Sequence, residues 1–531
     1  MSAGDQPESL RPDLAELLSR RELAGDEGRP EAVAARHRKG GRTARENIDD
    51  LIDPGSMVEY GRHAVAAQRA RRSADELRER TPADGLVSGT ARINGELFGE
   101  RAACAVLSYD YTVLAGTQGM TGHRKKDRLF ELIRRMKLPT VFFAEGGGGR
   151  PGDTDHAVVS GLDVPAFALW AALSGEVPRI AVVAGNCFAG NAVIAGCADL
   201  IVATENSSIG MGGPAMIEGG GLGAVAPDEV GPIEMQTANG VVDVRVGDEA
   251  EAVAVTRKLL AFFQGDIAPG ESADQRELRD AIPERRRRVY DVNRVIRLLA
   301  DLDSVVTLRP DFAPEMVTAL IRIEGRAIGV IANDPTHMAG AITSGGGDKA
   351  ARFMQLCDAF DLPILSLVDT PGMMVGPEAE ATGLVRHCSR MLVTGAGIGV
   401  PLVAVILRRG YGLGAQAMVA GSLQEPLLTV AWPGAELGPM GLEGAIRLGF
   451  RKELERIGDQ AERETRVREL TEMALENAKA LNVAAHFELD DVIDPAETRS
   501  VVSATFAAAT AASTRTADPR PPGSRGFIDT W

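Results

Sequence analysis

The 531 residues carry 74 acidic against 58 basic side chains, a net charge of −16. That balance excludes a nucleic-acid backbone as the main partner, because phosphate binding needs a basic surface. With 44% hydrophobic residues and 60 glycines, the composition is that of a folded, turn-rich α/β protein too long for one core. It fits two domains of about 230 residues plus extensions.

Residues 1–40 are charged, break near Gly25–Pro30, and read as a helical surface arm. The N-terminus has no apolar signal-peptide core. The run Gly40–Tyr60 predicts a short helix closed by Pro54-Gly55, and Arg62–Arg80 a basic helix with a solvated face. Asp84 to Ala115 alternates like paired strands, and strand–turn–helix units follow to about Ala203. The most apolar stretch, Val158–Val202, is interrupted by Asp163, Glu176, Arg179 and Asp199, so it reads as core and not as a membrane span. Glu205–Val246 is rich in Gly, Met and Pro and reads either as a pocket wall or as a plain long loop; Ala250–Phe263 is a helix. Gln264–Pro283 reads as a linker. The expected division is an arm 1–40, a first domain 41–265, a linker 266–285, a second domain 286–512 and a tail 513–531, with little structural propensity around Pro519–Gly523. The five cysteines (Cys104, Cys187, Cys197, Cys357, Cys388) form no CxxC pair. Reduced thiols in a cytoplasmic protein, with no metal site, are expected.

The two halves repeat one another. Leu138-Pro139 and Leu362-Pro363 lie 224 positions apart, each before an apolar strand. The strands lead into Glu145-Gly146-Gly147-Gly148-Gly149 and Asp369-Thr370-Pro371-Gly372. Val177-Pro178 answers Val400-Pro401, and Gly185–Gly190 lies opposite Gly410-Tyr411-Gly412-Leu413-Gly414. Landmarks in the same order at nearly constant offset, 224 for Leu138–Leu362 and 223 for Val177–Val400, indicate an internal duplication. Glycine turns at the end of strands and the mouth of helices leave backbone N–H groups uncovered and aimed at one point. Such a point suits an oxygen that becomes negative during a reaction.

Other chemistries lack support. Gly410–Ala415 matches GxGxxA, but the next strand, Leu427–Val430, ends in Ala431-Trp432 where a dinucleotide fold needs an acidic residue. No GxxxxGK[ST], GxSxG or HExxH occurs, and His123, His156, His337 and His387 are scattered. His123–Arg128 opens a helix. It reads as a solvated basic helix end, with a grip on ligand phosphates as the alternative.

The chain resembles the carboxyltransferase (β) subunit of biotin-dependent acyl-CoA carboxylases, the group that includes propionyl-CoA and methylcrotonyl-CoA carboxylases. The likeness runs from about Gly40 to Arg499. It rests on Thr43–Glu46 with Asp53-Pro-Gly55, Tyr290–Val292, Ala351–Phe353 with Cys357–Phe360, Val368–Gly372, Val405–Arg408 with Tyr411-Gly412, Ala431–Pro433 and Asp494–Arg499. The resemblance implies an α/β chain of two tandem crotonase-like (spiral ββα) domains. Carboxybiotin would break down to CO2 and a biotin enolate, which takes the α-proton of an acyl-CoA; the thioester enolate then attacks CO2. Two backbone oxyanion holes and no essential side-chain base are implied. Gly147 and Gly148 would stabilise the biotin oxyanion, and Leu413 and Gly414 the thioester enolate. Gly149, Ala189, Gly190, Gly372, Met373, Tyr411, Gly412, Ala415 and Gln416 would line the substrate. The site would join the first domain of one subunit to the second domain of another in a hexamer.

No Ala-Met-Lys-Met biotin-attachment motif, ATP-binding glycine loop or four-cysteine zinc ribbon is present, so the resemblance implies a separate α subunit carrying biotin carboxylase and biotin, with no nucleic acid, membrane or metal. The turns depart from the family. Glu-Gly-Gly-Gly-Gly-Arg stands for Asp-Ser-Gly-Gly-Ala-Arg, and Tyr-Gly-Leu-Gly-Ala-Gln for the Tyr-Gly-Gly-Ala-Tyr-Asp of propionyl-CoA relatives. The last of these positions influences acyl choice in the family, and the small Ala415 suggests a chain longer than acetyl. The rival readings are a biotin-dependent decarboxylase or transcarboxylase subunit, and a non-catalytic scaffold with lost oxyanion holes.

Overall fold

A computed structural model describes residues 10–153, 155, 160–286, 288–515 and 528–531 of the chain. Residues 1–9 of the expected arm, His156, Arg287 and the 519–523 stretch of the tail lie outside these. The chain divides into two compact units, Met1–Thr237 with Val241–Ala261, and Ala238–Gly240 with Phe262–Trp531.

In the first unit the strands are β1 (Val58–Glu59), β2 (Leu86–Arg92), β3 (Ala103–Tyr109), β4 (Thr140–Phe143), β5 (Arg179–Val183), β6 (Asn186–Phe188), β7 (Leu200–Thr204), β8 (Ser208–Gly210) and β9 (Val244–Val246). One sheet has the order β1-β2-β3-β4-β5-β7-β9, and β6 pairs β8 in a small second sheet. The pairs β1–β2 and β2–β3 are antiparallel and the rest of the large sheet is parallel. Every residue of β4, β5 and β7 is buried, which is why these strands read as continuous apolar runs and not as alternations. The helix Met120–Met136 packs Leu129, Phe130 and Ile133 on the core with Phe142 and Trp170.

The second unit repeats the plan with β10 (Val306–Leu308), β11 (Met316–Ile323), β12 (Arg326–Asn333), β13 (Ile364–Thr370), β14 (Leu402–Tyr411), β15 (Leu428–Ala431), β16 (Glu436–Gly438) and β17 (Asp491–Val492). The sheet order is β10-β11-β12-β13-β14-β15-β17. β11–β12 is antiparallel and the strands that follow are parallel. The end of β14 pairs β16, as β6 pairs β8. The duplication extends to buried polar detail. Asp110 accepts from the amide and hydroxyl of Thr112, and Asp334 does the same for Thr336. Lys125 Nζ donates to the carbonyls of Ala83 and Leu86, and Lys349 Nζ to those of Arg309 and Phe312.

Several sequence expectations need correction. Arg62–Arg80 is helical only over Ala74–Arg80. Glu205–Val246 is no plain loop, since it holds β8, β9 and the short helices Pro214–Gly219, Pro227–Val230 and Ile233–Ala238. Within Gln264–Pro283, Leu278 and Ala281 are buried in the second core, so the polar composition hid an apolar anchor. The polar–apolar period of Lys452–Leu481 predicts one helix with Val467, Leu470, Ala474, Ala478 and Leu481 on its apolar face. The helix Gln460–Ala478 buries Val467, Leu470 and Ala478 and half-buries Ala474, whereas Leu481 is exposed in the next helix, Ala480–Ala485. The arm forms helices Pro12–Leu23 and Pro30–Arg38. The helix expected after Gly40 is Ala44–Leu51, started by a reciprocal capping box of Thr43 and Glu46.

Candidate functional site

The first unit's turn begins where β4 ends. Glu145 is buried against Arg36, whose Nη1 and Nη2 donate to its two oxygens at 2.9 and 2.6 Å. Burial pushes the Glu145 carboxyl up to about 7 against the pull of Arg36, with Glu249 nearby adding to the rise. The next four residues are glycines. Gly148 has φ +88, and a Cβ there would lie 2.8 Å from that of Ala189, so the position accepts no side chain.

The backbone donors of this turn differ in what they do. The Gly147 N–H donates to the Ala115 carbonyl at 3.3 Å, and the Gly148 N–H to Asn191 Oδ1 at 3.1 Å. The two amides expected to face substrate are therefore already engaged within the fold. The Gln118 N–H donates to the Gly148 carbonyl and the Arg150 N–H to the Gln118 carbonyl, at 2.7 and 2.9 Å. Between them, the Gly149 N–H has no acceptor among the described residues, and a Cβ at Gly149 meets nothing within 4 Å. Ala189, at φ +51, turns the chain into the helix Gly190–Gly196. The Ala189 N–H goes to the Gly210 carbonyl at 3.0 Å, while the Gly190 N–H, in the helix's first turn, has no acceptor among the described residues.

The second unit builds the same turn from different residues. Asp369, at the end of β13, is fully buried and takes Arg408 at 2.9 Å and Arg409 at 2.6 Å. Arg408 lies 4.9 Å above the centre of the Tyr290 ring, a cation–π contact. Pro371 occupies the place of Gly147 and has no N–H to donate. The Gly372 N–H goes to Thr370 Oγ1 at 3.1 Å, as that of Gly148 goes to Asn191. The Ile342 N–H donates to the Gly372 carbonyl, and the Met374 N–H to the Ile342 carbonyl, at 3.1 and 2.8 Å. The amide left over is that of Met373. Gly412, at φ +58, follows Tyr411, and the Leu413 and Gly414 amides behind it have no acceptors among the described residues. A Cβ on Gly414 would stand 2.6 Å from the Gly372 carbonyl carbon, which brings the two turns of this unit together. Tyr411 and Ala415 are buried, Gln416 is exposed, and Leu413 points to solvent.

The basic cluster His123–Arg128 is not a solvated helix end. Lys126 is fully buried, with Nζ 2.9 Å from Tyr109 Oη and 2.6 Å from Gln118 Oε1. Burial lowers Lys125 to about 8, Lys126 to about 7 and His123 to about 3. His387 Nδ1 lies 2.6 Å from the buried Asp348. All five cysteines are free and four are buried. Among the described residues no three His, Cys, Asp or Glu side chains gather as metal ligands, and no helix is long and apolar enough to cross a membrane. Sequence reasoning missed Asn191 and Gln118. Their only signal was position, one residue past Gly190 and two before the helix that carries Lys126.

A family model described as carboxyl transferase domain matches residues 35–521. The biotin-dependent long chain acyl-coenzyme A carboxylase beta4 subunit of Mycobacterium tuberculosis is 32% identical over 506 residues, covering 92% of each chain. Among solved structures, a single-chain, multi-domain long-chain acyl-CoA carboxylase is 53% identical with a TM-score of 0.89. That match covers 94% of this chain and 49% of the other, so this chain spans about half its length. The transcarboxylase 12S structure, described as a hexamer assembly with methylmalonyl-coenzyme A and methylmalonic acid bound, is 29% identical with a TM-score of 0.84, covering 99% of both chains.

Proposed function

We propose, since this chain belongs to the carboxyl transferase family and is a biotin-dependent acyl-CoA carboxyltransferase of tandem crotonase-like units, that outward-facing backbone amides at its paired turns carry the chemistry. The observation behind this is the match between the halves. In each unit an amide after the parallel strand (Gly149, Met373) and amides in the following helix's first turn (Gly190 in the first, Leu413 and Gly414 in the second) lack an acceptor among the described residues. The amides of Gly148 and Gly372, just before them in the turns, are tied down.

When delivered, biotin supplies the carboxyl group and takes up the α-proton of the substrate. The open space before Gly149, where even a Cβ would touch nothing, fits the ureido oxygen of that group. In this reading Gly149 and Gly190 donate to it, and Gly147 and Gly148 shape the turn. Leu413 and Gly414, with Met373, hold the thioester oxygen as negative charge develops, and the missing side chain of Gly414 leaves room for the Gly372 backbone. Preformed donors in a protected site each contribute about 3–4 kcal/mol to such a step. Tyr411, Gly412, Ala415 and Gln416 set the wall beside the acyl group, which we take to be longer than acetyl. Ala189 closes the wall of the first turn. Residues 41–265 and 286–512 are then the two carboxyltransferase domains. We further propose a hexamer like that of the 12S protein, a biotin-carrying partner, and a cytoplasmic setting consistent with five free thiols.

The test is carboxyl transfer run in reverse, from a series of carboxyacyl-CoAs of increasing chain length to a biotinylated carrier. Turnover should favour octanoyl-length and longer substrates over malonyl-CoA. A preference for the two-carbon acyl group would overturn the chain-length assignment. Silence at every length with a matched carrier would overturn the catalytic reading in favour of a scaffold.

A further inference from the structure

We infer that Lys126 is a positioning residue for the first turn: by gripping Gln118 it fixes, through Asn191, the direction in which the Gly149 amide points. The inference rests on the function proposed above. The chain of contacts is continuous. Lys126 Nζ donates to Gln118 Oε1 at 2.6 Å, and Gln118 Nε2 donates to Asn191 Oδ1 at 3.2 Å. That same Oδ1 receives the Gly148 N–H, while Asn191 Nδ2 donates to the carbonyls of Gly116 and Ala144 at 3.3 and 3.2 Å. The Gln118 backbone brackets Gly149 from both sides. Freeing the Gln118 side chain removes the bond it makes to Asn191 Oδ1, the atom that accepts the Gly148 N–H.

A lysine in this place needs a reason. Among the described residues no carboxylate pairs with it; its partners are a phenol, an amide and the rings of Tyr109 and Phe167, each centred 5.6 Å away. An uncompensated buried ammonium is costly. The second unit, with the same fold, holds Ile342 at the place of Gln118 and Ala350 at the place of Lys126, both fully buried. It manages without the polar chain because Pro371 and Thr370 set its turn. The first unit has four glycines there and no such device.

The titratable groups facing Lys126 are Tyr109 from β3, Asp84 from the turn before β2, and His123 and Asp127 from its own helix; Arg150, beyond the glycine turn, acts on His123. Burial lowers its pKa to about 7, and Asp127 and Asp84 oppose that. The competent form is the ammonium, whose charge makes the bonds to Tyr109 Oη and Gln118 Oε1 stronger than a neutral amine would make them. Activity should therefore fall as pH rises through about 7.

The experiment uses the full chain with a biotinylated carrier and its acyl-CoA, comparing wild type, Lys126→Met and the double variant Lys126→Met/Gln118→Ile. The double variant is apolar at both places, as the second unit is, and should fold at least as well as wild type. Both variants should lose about 10- to 100-fold in kcat while KM for acyl-CoA stays within about twofold, and both should lose the alkaline limb. A kcat within about twofold of wild type for the double variant would overturn the inference, as would a wild-type profile flat between pH 6 and about 8.5. Gly149→Leu separates the two claims, because its side chain enters open space and blocks the anion position without disturbing the fold. If Gly149→Leu abolishes transfer and the lysine variants do not, only the positioning role fails. If Gly149→Leu is active, the proposed hole itself fails.

Discussion

The two turns of this molecule solve one problem by different means. Each must present a single amide outward while anchoring its neighbours, and the pattern of backbone bonds around Gly149 is reproduced around Met373 atom for atom. The second unit uses local covalent restriction, with Pro371 removing one N–H and Thr370 taking the next. The first unit uses long-range partners, Ala115 for Gly147 and Asn191 for Gly148. The carboxylates beneath the turns differ in the same way. Asp369 is clamped by two adjacent arginines of its own sheet, whereas Glu145 depends on Arg36 from the N-terminal arm. Local devices make the second turn rigid, and distributed ones make the first tunable.

The comparison breaks most visibly at Asp369. Asp369→Asn strands Arg408 and Arg409 in the interior and should cost about 3–5 kcal/mol in denaturant unfolding. Within the second unit, the largest loss of activity is expected from Gly414→Ala. Its Cβ would meet the rigid backbone of Gly372 at 2.6 Å, displacing the turn's donors, lowering kcat by about 10²- to 10³-fold and lowering the melting temperature with it.

Glu145→Gln sharpens the contrast by acting through pH. Because the folded carboxyl titrates near 7 and the unfolded one near 4.5, its contribution is most favourable below 4.5 and is lost as pH rises through about 7. The variant should therefore flatten that part of the stability profile and be relatively more stable at pH 8 than at pH 5, read from urea midpoints at each pH. An unchanged profile would show that Arg36 fully compensates the charge.

Much of this was legible in the sequence. The duplication, the parallel strands and the cores followed from repeated landmarks and apolar runs, and the two-unit α/β architecture was borne out. The identity of the outward amide was not legible. Whether Gly147, Gly148 or Gly149 donates outward depends on acceptors 30 to 45 residues away, Ala115 and Asn191, and no local pattern encodes them. The same limit applies to Lys126. A helix opening His-Arg-Lys-Lys-Asp-Arg has the composition of a solvated face, and only the position of Gln118 and Tyr109 draws the second lysine inside. Leu278 was hidden by polar neighbours in the same manner.

The run of four glycines at Gly146–Gly149, set against Thr-Pro-Gly-Met at 370–373, has a thermal consequence. Each glycine has more unfolded-state freedom to lose than any other residue, by about 0.5–1 kcal/mol relative to alanine, while a proline has already lost part of its own. Ordering the first turn thus carries the larger entropic cost, and that cost grows with temperature. On warming, the first turn loosens before the second. The protein should lose carboxyl transfer at temperatures where both sheets are still intact, through the half of its machinery that is built from the least side chain.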